Sequence, residues 1–175
     1  MLTKRLKTDE KSYKSSVNEA ADILKNGGIV AIPTETVYGL AASALDENAV
    51  KKVFAAKGRP QDNPLIVHIA DIKEFGRIAA DIPNGAFECA RRFWPGPLTM
   101  VLKRTEKIPA LVSAGLDTVA VRMPSDKTAR DIINASGLPL AAPSANTSGR
   151  PSPTKAKYVL EDLDGKIDAV VMGGD

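Results

Sequence analysis

Apolar positions along the chain change period several times, and each change marks an element. Val17, Ala20, Ala21 and Leu24 recur at helical spacing behind a Ser16-Val17-Asn18-Glu19 capping box and stop at Gly27, which predicts a first helix. Gly28 to Pro33 is a short continuous apolar run and reads as a buried strand. Asp46 caps a helix that turns Val50, Val53 and Phe54 inward and ends at Lys57-Gly58. Leu65-Ile66-Val67-His68-Ile69 is a second buried strand, interrupted by the only histidine of the chain. Two helices are predicted over Asp71 to Ala80 and Pro83 to Trp94, the latter with Phe87, Ala90, Phe93 and Trp94 on one face and Pro95-Gly96-Pro97 ending it. Strands follow at Leu98 to Leu102 and Thr118 to Pro124. Ser125 or Asp126 then caps a helix through Ala129, Ile132 and Ile133, closed by Gly137. A short buried strand over Leu138 to Ala142, a helix over Thr154 to Leu163 and a strand over Ile167 to Met172 complete the pattern. With no repeat, low-complexity tract or linker, this alternation predicts one α/β domain, a twisted mixed sheet flanked by helices.

Composition narrows the class. At 175 residues with 43% hydrophobic residues the chain can bury a real core, and no apolar run approaches the roughly 20 residues of a membrane span. The N-terminus lacks a signal-peptide core, so a soluble, cytoplasmic protein is expected. Cys89 cannot form an internal disulfide, and its helical spacing between Ala86 and Phe93 reads as a small core position. The net charge of +3 resides in residues 1–14, where Lys4, Arg5, Lys7, Lys11 and Lys14 face only Asp9 and Glu10. Residues 1–14 are therefore read as a basic, solvated N-terminal segment and 15–175 as a neutral folded body whose anion sites must be local.

Three stretches concentrate chemistry. Lys57 and Arg59 straddle Gly58 before Pro60, two cations on a poorly solvated bend, as a phosphate site requires. Pro33-Thr34-Glu35-Thr36-Val37-Tyr38 follows a strand and is rich in hydroxyls, where an open α/β sheet places ligand groups; a plain turn into a bridging strand is the alternative. Pro143 to Pro153 couples four hydroxyls, Asn146 and Arg150 to glycine and proline constraints, which suits donors held around an anion. His68 belongs either to a core, with its nitrogens satisfied, or to a cleft at the strand end. Arg122 in an apolar strand needs an anionic partner, from the protein or from a ligand. No Walker loop and no Gly-x-Gly-x-x-Gly fingerprint is present, one histidine and one cysteine make no ordinary zinc site, and Ser144 lacks a nucleophile elbow. The cations Lys57, Arg59 and Arg122, the hydroxyls Thr36, Thr118, Ser144 and Ser152 and the amides Asn63 and Asn146 make a set that positions anionic substrates without a covalent intermediate.

Six blocks in order carry a family resemblance: Gly27 to Leu40, Lys57-Gly58-Arg59-Pro60, Asn63 to His68, Trp94 to Thr99, Val121-Arg122-Met123-Pro124 and Pro143-Ser144-Ala145-Asn146. Together they resemble the YrdC-type threonylcarbamoyl-AMP synthases. The resemblance implies a YrdC-like fold around a positively lined cavity. It also implies an enzyme joining L-threonine, bicarbonate and ATP, with Mg²⁺, into threonylcarbamoyl-AMP and pyrophosphate for tRNA modification. Lys57 and Arg59 would be catalytic; Lys57, Arg59, Asn63, Thr118, Ser144, Asn146 and Ser152 would hold ATP; Thr36, His68, Arg122 and Ala142 would hold threonine. Members of the family continue past the strand that here runs into Gly173-Gly174-Asp175, with a serine that touches substrate, so this chain is expected to lack that continuation. Alternative readings are an RNA-binding module, whose affinity would fall steeply with salt, and a carbamoyl-transfer domain of the hydrogenase-maturation type.

Overall fold

The computed structural model describes residues 2–173; the expectation for Gly174 and Asp175 lies outside the described residues. Eight strands form a mixed sheet: β1 (Lys4–Lys7), β2 (Val30–Ile32), β3 (Gly39–Ser43), β4 (Ile66–His68), β5 (Thr99–Lys103), β6 (Thr118–Arg122), β7 (Leu140–Ala141) and β8 (Ala169–Met172). Their spatial order is β1-β8-β2-β3-β7-β4-β6-β5. β8 runs parallel to both β1 and β2, and β4 parallel to β6, while the β2–β3, β3–β7, β4–β7 and β5–β6 pairs are antiparallel. The helices are α1 (Tyr13–Lys25), α2 (Glu47–Lys57), α3 (Phe75–Ile78), α4 (Asn84–Phe93), α5 (Lys127–Ser136) and α6 (Ala156–Leu163).

Alternation at period two explains why the sheet is covered on both faces. Val30 and Ile32, with Ala41 and with Ala169 and Val171, face Val17, Ala20 and Leu24 of α1 and Ile132 and Ile133 of α5. The intervening Ala31, Leu40, Ala42 and Val170 face Ala49 and Val53 of α2 and Val159 and Leu163 of α6. Leu65, Val67, Val119 and Val121 carry the third cluster, with Phe75, Ile78, Ala90 and Trp94. Central strands buried on both sides cannot alternate with polar residues, which is why they read as continuous apolar runs.

Several expectations need correction. The Ser16 capping box does not form: Asp9 starts a turn that receives the Ser12 and Tyr13 N–H groups, so α1 begins at Tyr13 and Ser16 is buried inside it, its hydroxyl donating to Lys7 O at 2.6 Å. The basic segment 1–14 is not solvated throughout: Lys4–Lys7 pairs with Ala169–Met172 and buries Leu6, although Lys4, Arg5 and Lys7 keep their charges in solvent. The span Asp71 to Ala80 breaks into a 3-10 turn over Ile72–Glu74 and the single-turn α3, because Ala79 leaves the helix to bridge Arg104. Cys89 is exposed, and Phe93 is 54% exposed. Phe87, Ala90 and Trp94 do face the core, joined there by Ala86, and the Phe87 and Trp94 rings both pack edge-on to Phe75.

Candidate functional site

β4 is the spine of the site. His68 pairs in register with Arg122 at the end of β6 and with Leu140 of β7, and Ala142 N donates to Ile66 O at 3.0 Å. The loop from Pro33 to Tyr38 lies across this strand end, held by Thr34 Oγ1 donating to Val37 O at 2.6 Å and by Ala145 N donating to Tyr38 O at 2.8 Å. Gly39 is needed where β3 begins: it bridges Ser144, and a Cβ there would come within 3.3 Å of Ala142 Cβ. Thr36, His68, Arg122, Ala142 and Ser144 thereby come to line one cavity of about 230 Å³. The four residues expected to hold threonine are brought together, and of the two readings left open for His68 the structure takes the cleft.

Arg122 is 8% exposed and its guanidinium is not left alone. Nη2 makes a 2.7 Å ion pair with Glu35 Oε1 and donates to Thr36 Oγ1 at 3.2 Å, while Nε is buried with no hydrogen-bond acceptor. Burial would raise the Glu35 pKa, but the Arg122 guanidinium and the Glu35 and Ser125 backbone N–H groups outweigh it and hold the carboxyl below its ordinary value. His68 is the reverse case: burial, and next the Arg122 charge, push its pKa down to about 4, so the imidazole is neutral at pH 7. Its Nδ1 is buried without a partner. The cavity wall therefore carries one cation and a neutral ring, and the anion that pairs with the cation, Glu35, reaches it from the adjoining loop.

The second group lies further along the same surface. Lys57 ends α2, where Gly58 at φ +59° reverses the chain and Arg59 N caps Phe54 O at 3.0 Å. Only 1% of Lys57 is exposed. Its ammonium donates to Ser144 O and, at 2.5 Å, to Asn146 O. Burial first, and then the Arg59 charge, lower its pKa to about 8, with Asp162 opposing the change. Arg59 is half-buried and donates to Pro64 O at 3.1 Å and to Asn63 O at 3.4 Å. Thr118 begins β6, four residues and roughly 13 Å from Arg122 at about 3.3 Å per residue, on the end where β4 starts. Asn146 directs its Nδ2 to Thr147 O and Arg150 O and buries an unpartnered Oδ1. Ser152 is exposed in a separate hollow with Arg150, Tyr158 and Asp162. The residues expected for ATP are thus spread along a surface, with Ser144 as the one member that also lines the cavity.

Two residues did not stand out as site residues in the sequence. Glu35 lies in a stretch already marked as polar, but its pairing with Arg122 needs β6 to be placed beside that loop. Asp162, on α6, accepts from Thr147 N at 2.9 Å and from Arg150 Nη1 at 2.5 Å, bracing the Ser144–Arg150 loop opposite Lys57. Its neighbours in sequence are those of any amphipathic helix, and no local signal separates it.

The Sua5, YciO and YrdC family model, described as "Telomere recombination", matches residues 22–175. The threonylcarbamoyl-AMP synthase of Pyrococcus abyssi is 54% identical over 166 residues, covering 95% of this chain and 49% of that protein. The threonylcarbamoyl-AMP synthase of Bacillus subtilis is 52% identical over 169 residues, with the same two shares, 95% and 49%. A crystal structure of P. abyssi Sua5 complexed with L-threonine matches with a TM-score of 0.94 at 51% identity, covering 100% of this chain and 51% of that one. The chain spans about half the length of the curated relatives it matches.

Proposed function

The chain belongs to the Sua5, YciO and YrdC family, and on that premise we propose that it carries the L-threonylcarbamoyladenylate synthase site, joining L-threonine, bicarbonate and Mg·ATP into threonylcarbamoyl-AMP and pyrophosphate. The observation that carries this reading is the cavity in which a buried arginine with a spare N–H, a neutral imidazole and a threonine hydroxyl converge beside Ser144. Such a cavity fits a small amino acid whose carboxylate seeks a guanidinium. Lys57, Arg59, Asn63, Thr118, Ser144, Asn146 and Ser152 would take the nucleotide, with the Mg²⁺ arriving on its phosphates.

Threonine's amine, once neutral, adds to carbon dioxide derived from bicarbonate, and the resulting carbamate oxygen attacks the α-phosphorus as pyrophosphate leaves. The protein's share of this is orientation and charge. Arg122 would fix the carboxylate and so keep the amine within the cavity that Ser144 also lines. Arg59, bonded only to backbone carbonyls at the rim, is free to turn to the departing phosphates, and Lys57 keeps one of its three N–H donors beyond the two it gives to the loop. The product would supply the modification of tRNA, in keeping with a cytoplasmic enzyme. Pyrophosphate release from Mg·ATP that requires both threonine and bicarbonate is the expected result. Release driven by carbamoyl phosphate, or RNA binding indifferent to threonine, would replace this reading.

A further inference from the structure

We infer that Glu35 is a specificity-determining residue: its carboxylate, paired with Arg122 before substrate arrives, exchanges partners and receives the ammonium of the incoming amino acid. The inference rests on the proposed amino-acid cavity and goes beyond it, because it explains why the arginine of that cavity is already paired with an acid.

Both interactions recorded for Arg122 Nη2 are with the 33–38 loop, the ion pair to Glu35 at 2.7 Å and the hydrogen bond to Thr36 Oγ1 at 3.2 Å. Nε, which shares an edge of the guanidinium with Nη2, is buried and has no acceptor. A carboxylate seated bidentately on that edge would satisfy Nε and would compete for Nη2. Glu35 holds Nη2 with one oxygen and does not satisfy Nε, so it is a weaker occupant than a bidentate ligand.

Charge decides where Glu35 goes. The cavity is lined by the Arg122 cation, a neutral His68 and the residues Thr34, Thr36 and Ser144, and Glu35 is the anion paired with Arg122. Displacement from Arg122 would take away the cation that Glu35 is paired with, its side chain being 19% exposed in the pair although the residue as a whole is exposed. A zwitterion resolves this: its carboxylate takes Arg122, its ammonium takes Glu35, and no charge is left unpaired. An acid without an ammonium would strand Glu35. The site is thereby matched to α-amino acids and set against α-hydroxy acids of the same shape.

Calorimetric titration of the full chain with L-threonine and with 2,3-dihydroxybutyrate, in which a hydroxyl replaces the ammonium, tests this. The unmodified chain should prefer threonine. Glu35→Gln should weaken threonine by roughly tenfold and strengthen the hydroxy acid, narrowing or reversing the preference, because the amide neither pairs with an ammonium nor competes for Arg122. Glu35→Asp should keep the preference for threonine. Equal binding of both compounds to the unmodified chain, or unchanged threonine affinity in Glu35→Gln, overturns the role of Glu35 while the cavity remains an amino-acid site. Should Glu35→Gln fail to fold, the preference of the unmodified chain and of Glu35→Asp still decides. A chain that binds neither compound overturns the cavity assignment together with the inference.

Discussion

Arg122 and Lys57 are both buried cations close to Ser144, the one lining a cavity with it and the other bonded to its carbonyl, and they are neutralised in opposite ways. Arg122 faces a carboxylate, Glu35, and keeps an unsatisfied Nε. Lys57 faces two backbone carbonyls, those of Ser144 and Asn146. An ion pair with a spare donor can trade its anion for another. A lysine that ties down a loop cannot release it without leaving two buried acceptors bare. The proposed amino-acid end thus has a cation able to exchange partners, and the proposed nucleotide end has one that holds a loop in shape, beside the half-buried Arg59.

The comparison can be broken most directly at Arg122. Arg122→Ala removes the guanidinium and strands Glu35, and threonine affinity should fall by about 2–5 kcal/mol in calorimetry, with Arg122→Lys restoring little because a point charge cannot form the fork. Unchanged affinity would remove the carboxylate assignment. At the other end, Lys57→Met should lower unfolding stability by about 2–4 kcal/mol in urea titration, since two buried carbonyls lose their donor. A variant as stable as the unmodified chain would show that the ammonium is not the tie between α2 and the loop.

His68 sharpens the contrast through pH. Between pH 6.5 and about 4 the unfolded chain takes a proton on this ring that the folded chain refuses, so falling pH favours unfolding and stability rises with pH across that window. The contribution is up to about 3 kcal/mol, and His68→Gln should flatten that part of the stability profile. The smallest effect on stability is expected at Arg59, whose two bonds reach half-exposed carbonyls at 3.1 and 3.4 Å. Arg59→Ala should change unfolding by under about 0.5 kcal/mol while slowing pyrophosphate release. Loss of fold in that variant would make Arg59 a second structural cation and erase the distinction.

What could be read in the sequence follows from how local its cause is. Gly58 after Lys57 announces its own left-handed cap, and the Leu65–Ile69 run announces a strand buried on both faces. Glu35 with Arg122, Lys57 with Ser144 O, and Asp162 with Thr147 N span 87, 87 and 15 residues, and nothing local to either partner encodes them. The strand Lys4-Arg5-Leu6-Lys7 shows one apolar residue in four, because an edge strand buries so little, and its charges read as a solvated segment. Ser16 misled for a related reason: a hydroxyl that would cap a helix also serves to close a strand carbonyl.

The seating of β8 between β1 and β2 constrains how the chain is made. Thr3 donates to Ile167 O across 164 residues, so β1 lacks its partner, and β2 has only β3 beside it, until residues Ala169–Met172 have been synthesised. On the ribosome the first two strands must wait with open edges, and nascent chains stopped short of Ala169 would be candidates for chaperone capture and edge-to-edge aggregation.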